Sequence, residues 1–178
     1  MRSGFRARLA RHDQMIGSFL KIPSTQPAEI LGTLGFDFAV IDEEHAAFNP
    51  ETTDAILLAC RAHGMAGLVR VRDTRDILRV LDCGAEGVLV PHMASAEAVK
   101  KTVALTRYAG RRGVSPSTRA AGFGAGSIAA SCAAQDARIA VIAMIEDAAA
   151  LDCIADIVAV EGLDAIFIGQ ADLAMSMR

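Results

Sequence analysis

Residues 139–172 read IAVIAMIEDAAALDCIADIVAVEGLDAIFIGQAD. The run Ile139–Glu146 is apolar up to its last residue, the pattern of a strand covered on both faces of a parallel sheet. Helical spacing follows over Ala148–Val160, and a second apolar run, Ala165–Ile168, leads through Gly169-Gln170-Ala171 to Asp172. Strand, helix and strand in that order make one β/α unit, and each of its two strands delivers a carboxylate near its end. Outward from this unit the alternation continues towards the N-terminus. Strands are expected at Ile16–Leu20, Phe38–Asp42, Gly67–Val71 and Gly87–Pro91, and helices at Pro27–Leu34, Glu51–His63, Thr74–Cys83 and Ala96–Tyr108. Pro27 and Pro50 stand near helix starts, and Gly35, Gly64, Gly84 and Gly110 follow helix ends. The Gly/Arg/Ser-rich stretch Gly110–Gly126 reads as a loop over a site or as a mobile connection. Repeated β/α units fit an open doubly wound sheet or a (β/α)8 (TIM) barrel. The only near match to a dinucleotide loop, Gly122-Phe-Gly-Ala-Gly126, follows no strand, whereas almost every strand runs into an ionisable residue. The barrel is therefore the expected fold, as a single α/β domain over residues 1–178 that ends after its sixth strand.

The 178 residues are 52% hydrophobic and 22% charged, with mean hydropathy +0.33, which excludes a disordered or low-complexity chain. Eighteen Lys and Arg stand against 21 Asp and Glu, for a net charge of −3, so no basic face is expected to track nucleic acid. No apolar run approaches the roughly 20 residues of a membrane span, and MRSGFRARLARHD lacks the apolar segment of a signal peptide. These readings lead to the expectation of a cytoplasmic protein with neither nucleic acid nor membrane as partner. Cys60, Cys83, Cys132 and Cys153 show no metal-type spacing and are expected to be reduced, mostly buried thiols.

In a barrel the carboxyl ends of the strands converge on one face. Collecting those ends gives Asp42, Glu44 and His45, then Arg70, then Glu146, then Asp172. Two carboxylates brought together by apolar strands repel unless a cation lies between them, so Glu146 and Asp172 are expected to hold a divalent ion with oxygen ligands; the alternative is that each caps the helix behind it. His45, close to Asp42, has the makings of a general base oriented by a carboxylate. Arg70 interrupts an otherwise buried strand and needs an anion, either a structural acid such as Asp82 or a substrate carboxylate or enolate. His12, His63 and His92 read mostly as structural, and Arg72, Arg75 and Arg79 as a solvated helix face. Lys21, near the end of the first strand, is the one lysine placed for Schiff-base chemistry.

The ordered motifs GFDFAVIDEEHAAF, LVRV, RVLDCGAEGVLVPHMASAEA, RGVSPSTRAAGFG and MIEDAAALDCIADIVAVEGLDAIFIGQADLAMSM resemble the HpcH/HpaI family of metal-dependent pyruvate aldolases over nearly the whole chain. The resemblance implies a TIM barrel, commonly assembled as a homo-oligomer (a hexamer with helix exchange), that cleaves 4-hydroxy-2-oxo or 2-oxo-3-deoxy acids from aromatic or sugar acid catabolism to pyruvate and an aldehyde. Mg²⁺, Mn²⁺ or Co²⁺ would sit on Glu146 and Asp172, and pyruvate would be bound through Arg70 and backbone amides around Gly169 and Ala171. Arg70 would steady the enolate oxygen, His45 with Asp42 would form the acid/base dyad, and Asp82 would complete the site across a subunit boundary. Other readings are a citryl-CoA-lyase-like enzyme and a non-catalytic remnant. The chain departs from the family pattern at Met144, at Gln170 and in Tyr108–Gly113, and the pattern itself continues through two more β/α units beyond Arg178.

Overall fold

A six-stranded, wholly parallel sheet in sequential order organises the computed structural model, which describes residues 4–178. The strands are β1 (Gly17–Leu20), β2 (Phe38–Asp42), β3 (Ala66–Arg70), β4 (Gly87–Val90), β5 (Ala140–Ile145) and β6 (Ala165–Ile168). The helices are α1 (Phe5–Ala10), α2 (Gln26–Thr33), α3 (Pro50–Ala62), α4 (Ile77–Asp82), α5 (Ala96–Thr106), α6 (Ile128–Arg138), α7 (Ala148–Asp152), α8 (Ile154–Val158) and α9 (Gln170–Ser176). Among the described residues no helix is long and apolar enough to cross a membrane. The first three residues of the arginine-rich N-terminal stretch lie outside the described residues.

The sheet curls. The Phe19 ring on β1 meets the Phe167 ring on β6 at 5.7 Å between centroids, although a flat sheet would hold strands five spacings apart by roughly 24 Å. All six expected strands are present to within a residue or two at their ends. The architecture is a TIM-barrel-like half-barrel of six strands.

Side chains alternate across each strand, so the two faces carry different cores. Ala39, Ile41, Val69, Val88, Ala143 and Ile145 face the helices and pack with Ile56, Leu57, Cys60, Ile77, Leu81 and Ile157. Val40, Leu68, Leu89, Ile142 and Met144 face the concave side, where Phe5 of α1 closes the far end. An apolar cavity of about 350 Å³ remains inside the curl, lined by Phe5, Leu9, Phe19, Phe38 and Phe167 among others.

Local chemistry sets the helix starts. Asn49 accepts the Thr52 N–H at 2.8 Å with Pro50 at the first helical position, and Ser95 accepts from Ala98 at 3.2 Å. Three helices were not expected from the sequence: α1, α6 and α9. α6 follows the glycine-rich stretch, which contributes only a single 3-10 turn at Gly122–Gly124. Two expected helices are interrupted. Asp73 caps a 3-10 turn at Thr74–Asp76 before α4 begins, and the Ala148–Val160 run breaks at Cys153 (φ −126°, ψ 23°). The described cysteines form no disulfide, and only Cys60 is buried; burial pushes its thiol up to about 12.

Candidate active site at the carboxyl ends of the strands

The concave row of every strand but β4 runs into a residue of one cleft or of the charge cluster beside it. Following the alternation, Phe19 leads to Lys21, Val40 to Asp42, Leu68 to Arg70, Met144 to Glu146 and Phe167 to Gly169. Curling brings these ends together around an open cleft of about 620 Å³ lined by Lys21, His45, Arg70, Met144, Gly169, Gln170, Ala171 and Asp172.

Asp42 and Arg70 are register partners on neighbouring strands. The guanidinium donates to both carboxylate oxygens, Nε to Oδ1 at 2.9 Å and Nη2 to Oδ2 at 2.8 Å, the bidentate geometry in which such pairs are strongest. Lys21 Nζ adds a contact at 3.2 Å. Burial works against the Asp42 charge, but the Arg70 hydrogen bonds, the His45 backbone N–H and Lys21 outweigh it and lower the carboxyl to about 2. Burial likewise opposes the Arg70 charge, and Asp42, with Glu44 and Glu146, more than restores it. Arg70 also lies over the Phe19 ring at 5.2 Å and donates weakly to the Met144 sulfur at 3.8 Å.

Three consecutive acids point three ways. Asp42 faces Arg70. Glu43 turns outward, where Arg79 and Thr53 hold it at 2.7 and 2.6 Å. Arg79 is thus half-buried and paired, not part of a solvated face. Glu44 turns to the cleft: its Oε2 is buried, lies 3.2 Å from Arg70 Nη1 and accepts no hydrogen bond. Burial raises the Glu44 carboxyl against the pull of Arg70.

Glu146 is 2% exposed at the base of the cleft, where its Oε1 accepts the His92 N–H at 2.8 Å. Gly169 packs directly on it: a Cβ there would fall 2.8 Å from Glu146 Oε2 and 2.8 Å from the Met144 methyl. Ligand atoms of Glu44, His92 and Glu146 lie within 4.8 Å of one another. This donor set fits a divalent cation on two counts: the orphaned Glu44 oxygen, and two carboxylates in a shared pocket beside an imidazole.

Several expected residues are placed differently from the sequence reading. The side chains of Asp42 and His45 do not form a dyad. Asp42 accepts the His45 backbone N–H at 3.1 Å while its oxygens serve Arg70, and the His45 ring, 55% exposed, has Glu44 Oε2 at 3.8 Å. The reason is register, which sets Arg70 beside Asp42. Asp82 is neither the Arg70 partner nor part of this cluster. It ends α4, which runs antiparallel to the strands, and it pairs with Arg112 at 3.2 Å. Asp172 is exposed in the first turn of α9 and lines the same cleft, outside the three-residue donor group. The Gly169 N–H is already given to the Ile145 carbonyl at 3.0 Å, so this glycine contributes space, while Ala171 lies in the first helical turn with an amide that has no intrahelical acceptor. His92, read as structural, stands at the cluster with its Nδ1 3.2 Å from Asp147 Oδ2. The sequence signal was available: His92 lies two residues past the end of strand β4, at the end of the sheet where Arg70 and Glu146 also stand.

A family model described as HpcH/HpaI aldolase/citrate lyase matches residues 15–178. A 5-keto-4-deoxy-D-glucarate aldolase of Klebsiella pneumoniae is 36% identical over 177 residues, covering 97% of this chain and 68% of the relative. Among solved structures, an HpcH/HpaI aldolase from Desulfitobacterium hafniense superposes with TM-score 0.91 at 30% identity, over 98% of this chain and 69% of that one. The citrate synthase SbnG superposes with TM-score 0.88 at 38% identity, over 98% and 68%.

Proposed function

The chain belongs to the HpcH/HpaI aldolase/citrate lyase family, a family of carbon–carbon lyases acting on small molecules, and on that premise we propose that it cleaves a 4-hydroxy-2-oxo acid to pyruvate and an aldehyde with the help of a divalent cation. The observation that carries this reading is the meeting of Arg70, Glu44 and buried Glu146 at one open end of the sheet. The cation would be Mg²⁺, Mn²⁺ or Co²⁺, held by Glu146 with Asp172 approaching from α9. Bound there it would polarise the 2-oxo group and neutralise charge developing on its oxygen.

The chain's own groups account for the rest. Cleavage requires a base for the C4 hydroxyl proton. As the C3–C4 bond breaks, its electron pair passes into the three-carbon fragment as an enolate, and a proton returned to C3 gives pyruvate. His45, exposed at the cleft, would take the hydroxyl proton, with the Glu44 carboxylate 3.8 Å from its ring. Arg70, fixed by Asp42, offers a preorganised positive charge to the enolate oxygen. The first turn of α9, with Ala171, faces the substrate carboxylate. Lys21 is paired with Asp42, which disfavours its use as a Schiff-base nucleophile. Asp82 would contribute only in a homo-oligomer, from a second copy. The chain's role is cytoplasmic in this reading.

The test is proton NMR of pyruvate in D₂O with the protein, first with Mg²⁺ and then with EDTA. Metal-dependent loss of the methyl signal is expected. No exchange from a folded, metal-loaded protein overturns the reading. Likeness to a citrate synthase favours a second reading, in which the same cleft joins an enolate to an oxo acid; citrate formation without pyruvate exchange would select it.

A further inference from the structure

His92 is the group the proposed reaction leaves unused, and its placement is unusual. It sits just after β4 with φ +55°, a left-handed conformation that few side chains other than Asn, Asp and His adopt readily. Its backbone N–H holds Glu146 Oε1, and its ring Nδ1 lies 3.5 Å from the same oxygen and 3.2 Å from Asp147 Oδ2. One imidazole nitrogen thus stands between two carboxylates, in the place a cation bridging them would take. Glu44, whose buried Oε2 accepts no hydrogen bond, completes the triad within 4.8 Å.

We infer that His92 is a nitrogen ligand of the cation held at Glu146, and that it shifts this centre from magnesium towards a late first-row ion such as Co²⁺. The inference rests on the proposed metal-assisted reading of the cleft. Carboxylate oxygens alone suit Mg²⁺, whereas an imidazole adds affinity for Co²⁺, Ni²⁺ or Zn²⁺ and little for Mg²⁺.

The experiment uses the whole chain stripped of metal and titrated separately with Co²⁺ and Mg²⁺ by calorimetry, with the visible spectrum of the Co²⁺ form recorded. His92→Asn and His92→Gly both tolerate the left-handed backbone, and circular dichroism checks their folding. Both variants are expected to lose Co²⁺ affinity by about tenfold or more while Mg²⁺ affinity changes far less. The Co²⁺ absorption bands should shift, and a paramagnetically displaced imidazole N–H resonance should disappear. Unchanged Co²⁺ affinity and spectrum in both variants would overturn the assignment. Glu146→Gln separates the two levels of the argument. If it abolishes binding of both ions while His92→Asn changes nothing, only the His92 inference fails. If Glu146→Gln leaves both affinities intact, or the parent chain binds neither ion, the metal reading of the cleft fails and the His92 inference falls with it.

Discussion

Both ends of the curled sheet carry clustered charge, and they use it differently. At the amino ends, acids stand immediately before the even-numbered strands and each is matched by arginine. Asp37 takes Arg8 at 2.7 Å, Glu86 takes Arg138 at 2.7 Å, and Asp164 takes Arg6 at 2.6 Å. Asp37 and Asp164 also accept strand-end N–H groups, from Ile16 and Val141, at 2.8 Å each. These pairs peg α1 and the strand starts in place. At the carboxyl ends the charges share partners, one carboxylate oxygen accepts no hydrogen bond, and Lys21, His45, Arg70 and Asp172 line a cleft. Paired charge by itself therefore marks no site; what distinguishes the carboxyl end is that Asp42, Arg70 and Glu146 are buried there, whereas the amino-end pairs stay partly exposed.

Replacements at the two ends should separate stability from chemistry. Asp42→Ala strands Arg70 in the buried cluster and is expected to destabilise the chain by about 3–5 kcal/mol and to slow pyruvate exchange, read by urea unfolding and NMR. Equal stability with and without Asp42 would break the comparison, because the carboxyl-end pair would then support nothing. Glu146→Gln should lower exchange by about 10²–10³-fold with little loss of stability, since the amide can still accept the His92 N–H. At the other end, Asp164→Ala should cost about 1–3 kcal/mol through the unpaired Arg6 and Val141 N–H, with exchange per folded molecule unchanged. Thr53→Val, which removes one hydrogen bond to outward-facing Glu43, should cost about 1 kcal/mol and leave exchange alone.

Acid titration sharpens the same contrast. Asp42 is held at about 2 when folded, against 3.8 ordinarily, so the unfolded chain takes up its proton first as pH falls. Its contribution is complete above roughly pH 4–5 and is lost as pH falls through about 2. Stability measured over that window should decline less steeply in Asp42→Asn than in the parent chain.

Legibility followed the physics of each element. The strands were readable because a strand buried on both faces must be apolar throughout, and AVIAMI of β5 can be little else. α1, α6 and α9 escaped notice because they are short or follow glycine-rich chain, and packing holds them where periodicity gives little sign. The amino-end pegs also had a sequence trace. Gly35-Phe-Asp37, Gly84-Ala-Glu86 and Gly162-Leu-Asp164 repeat one motif, in which a left-handed glycine follows the helix (φ +98° at Gly84) and the acid two residues on directly precedes the next strand.

Order along the chain determined the parallel sheet and brought Asp42, Arg70, Glu146 and Asp172 to its carboxyl end, since strand alternation and β/α connection are local matters. Which of those groups pair was decided only in three dimensions. Register set Arg70 against Asp42 and so left His45 without that carboxylate. Pairing of the neighbouring strands β4 and β5 set His92 beside Glu146, 54 residues on, whereas the curl carried Glu44, 102 residues away in sequence, to the same group. Sequence spacing fixes what each strand end presents, but the distance between strand ends depends on the curvature of the whole sheet.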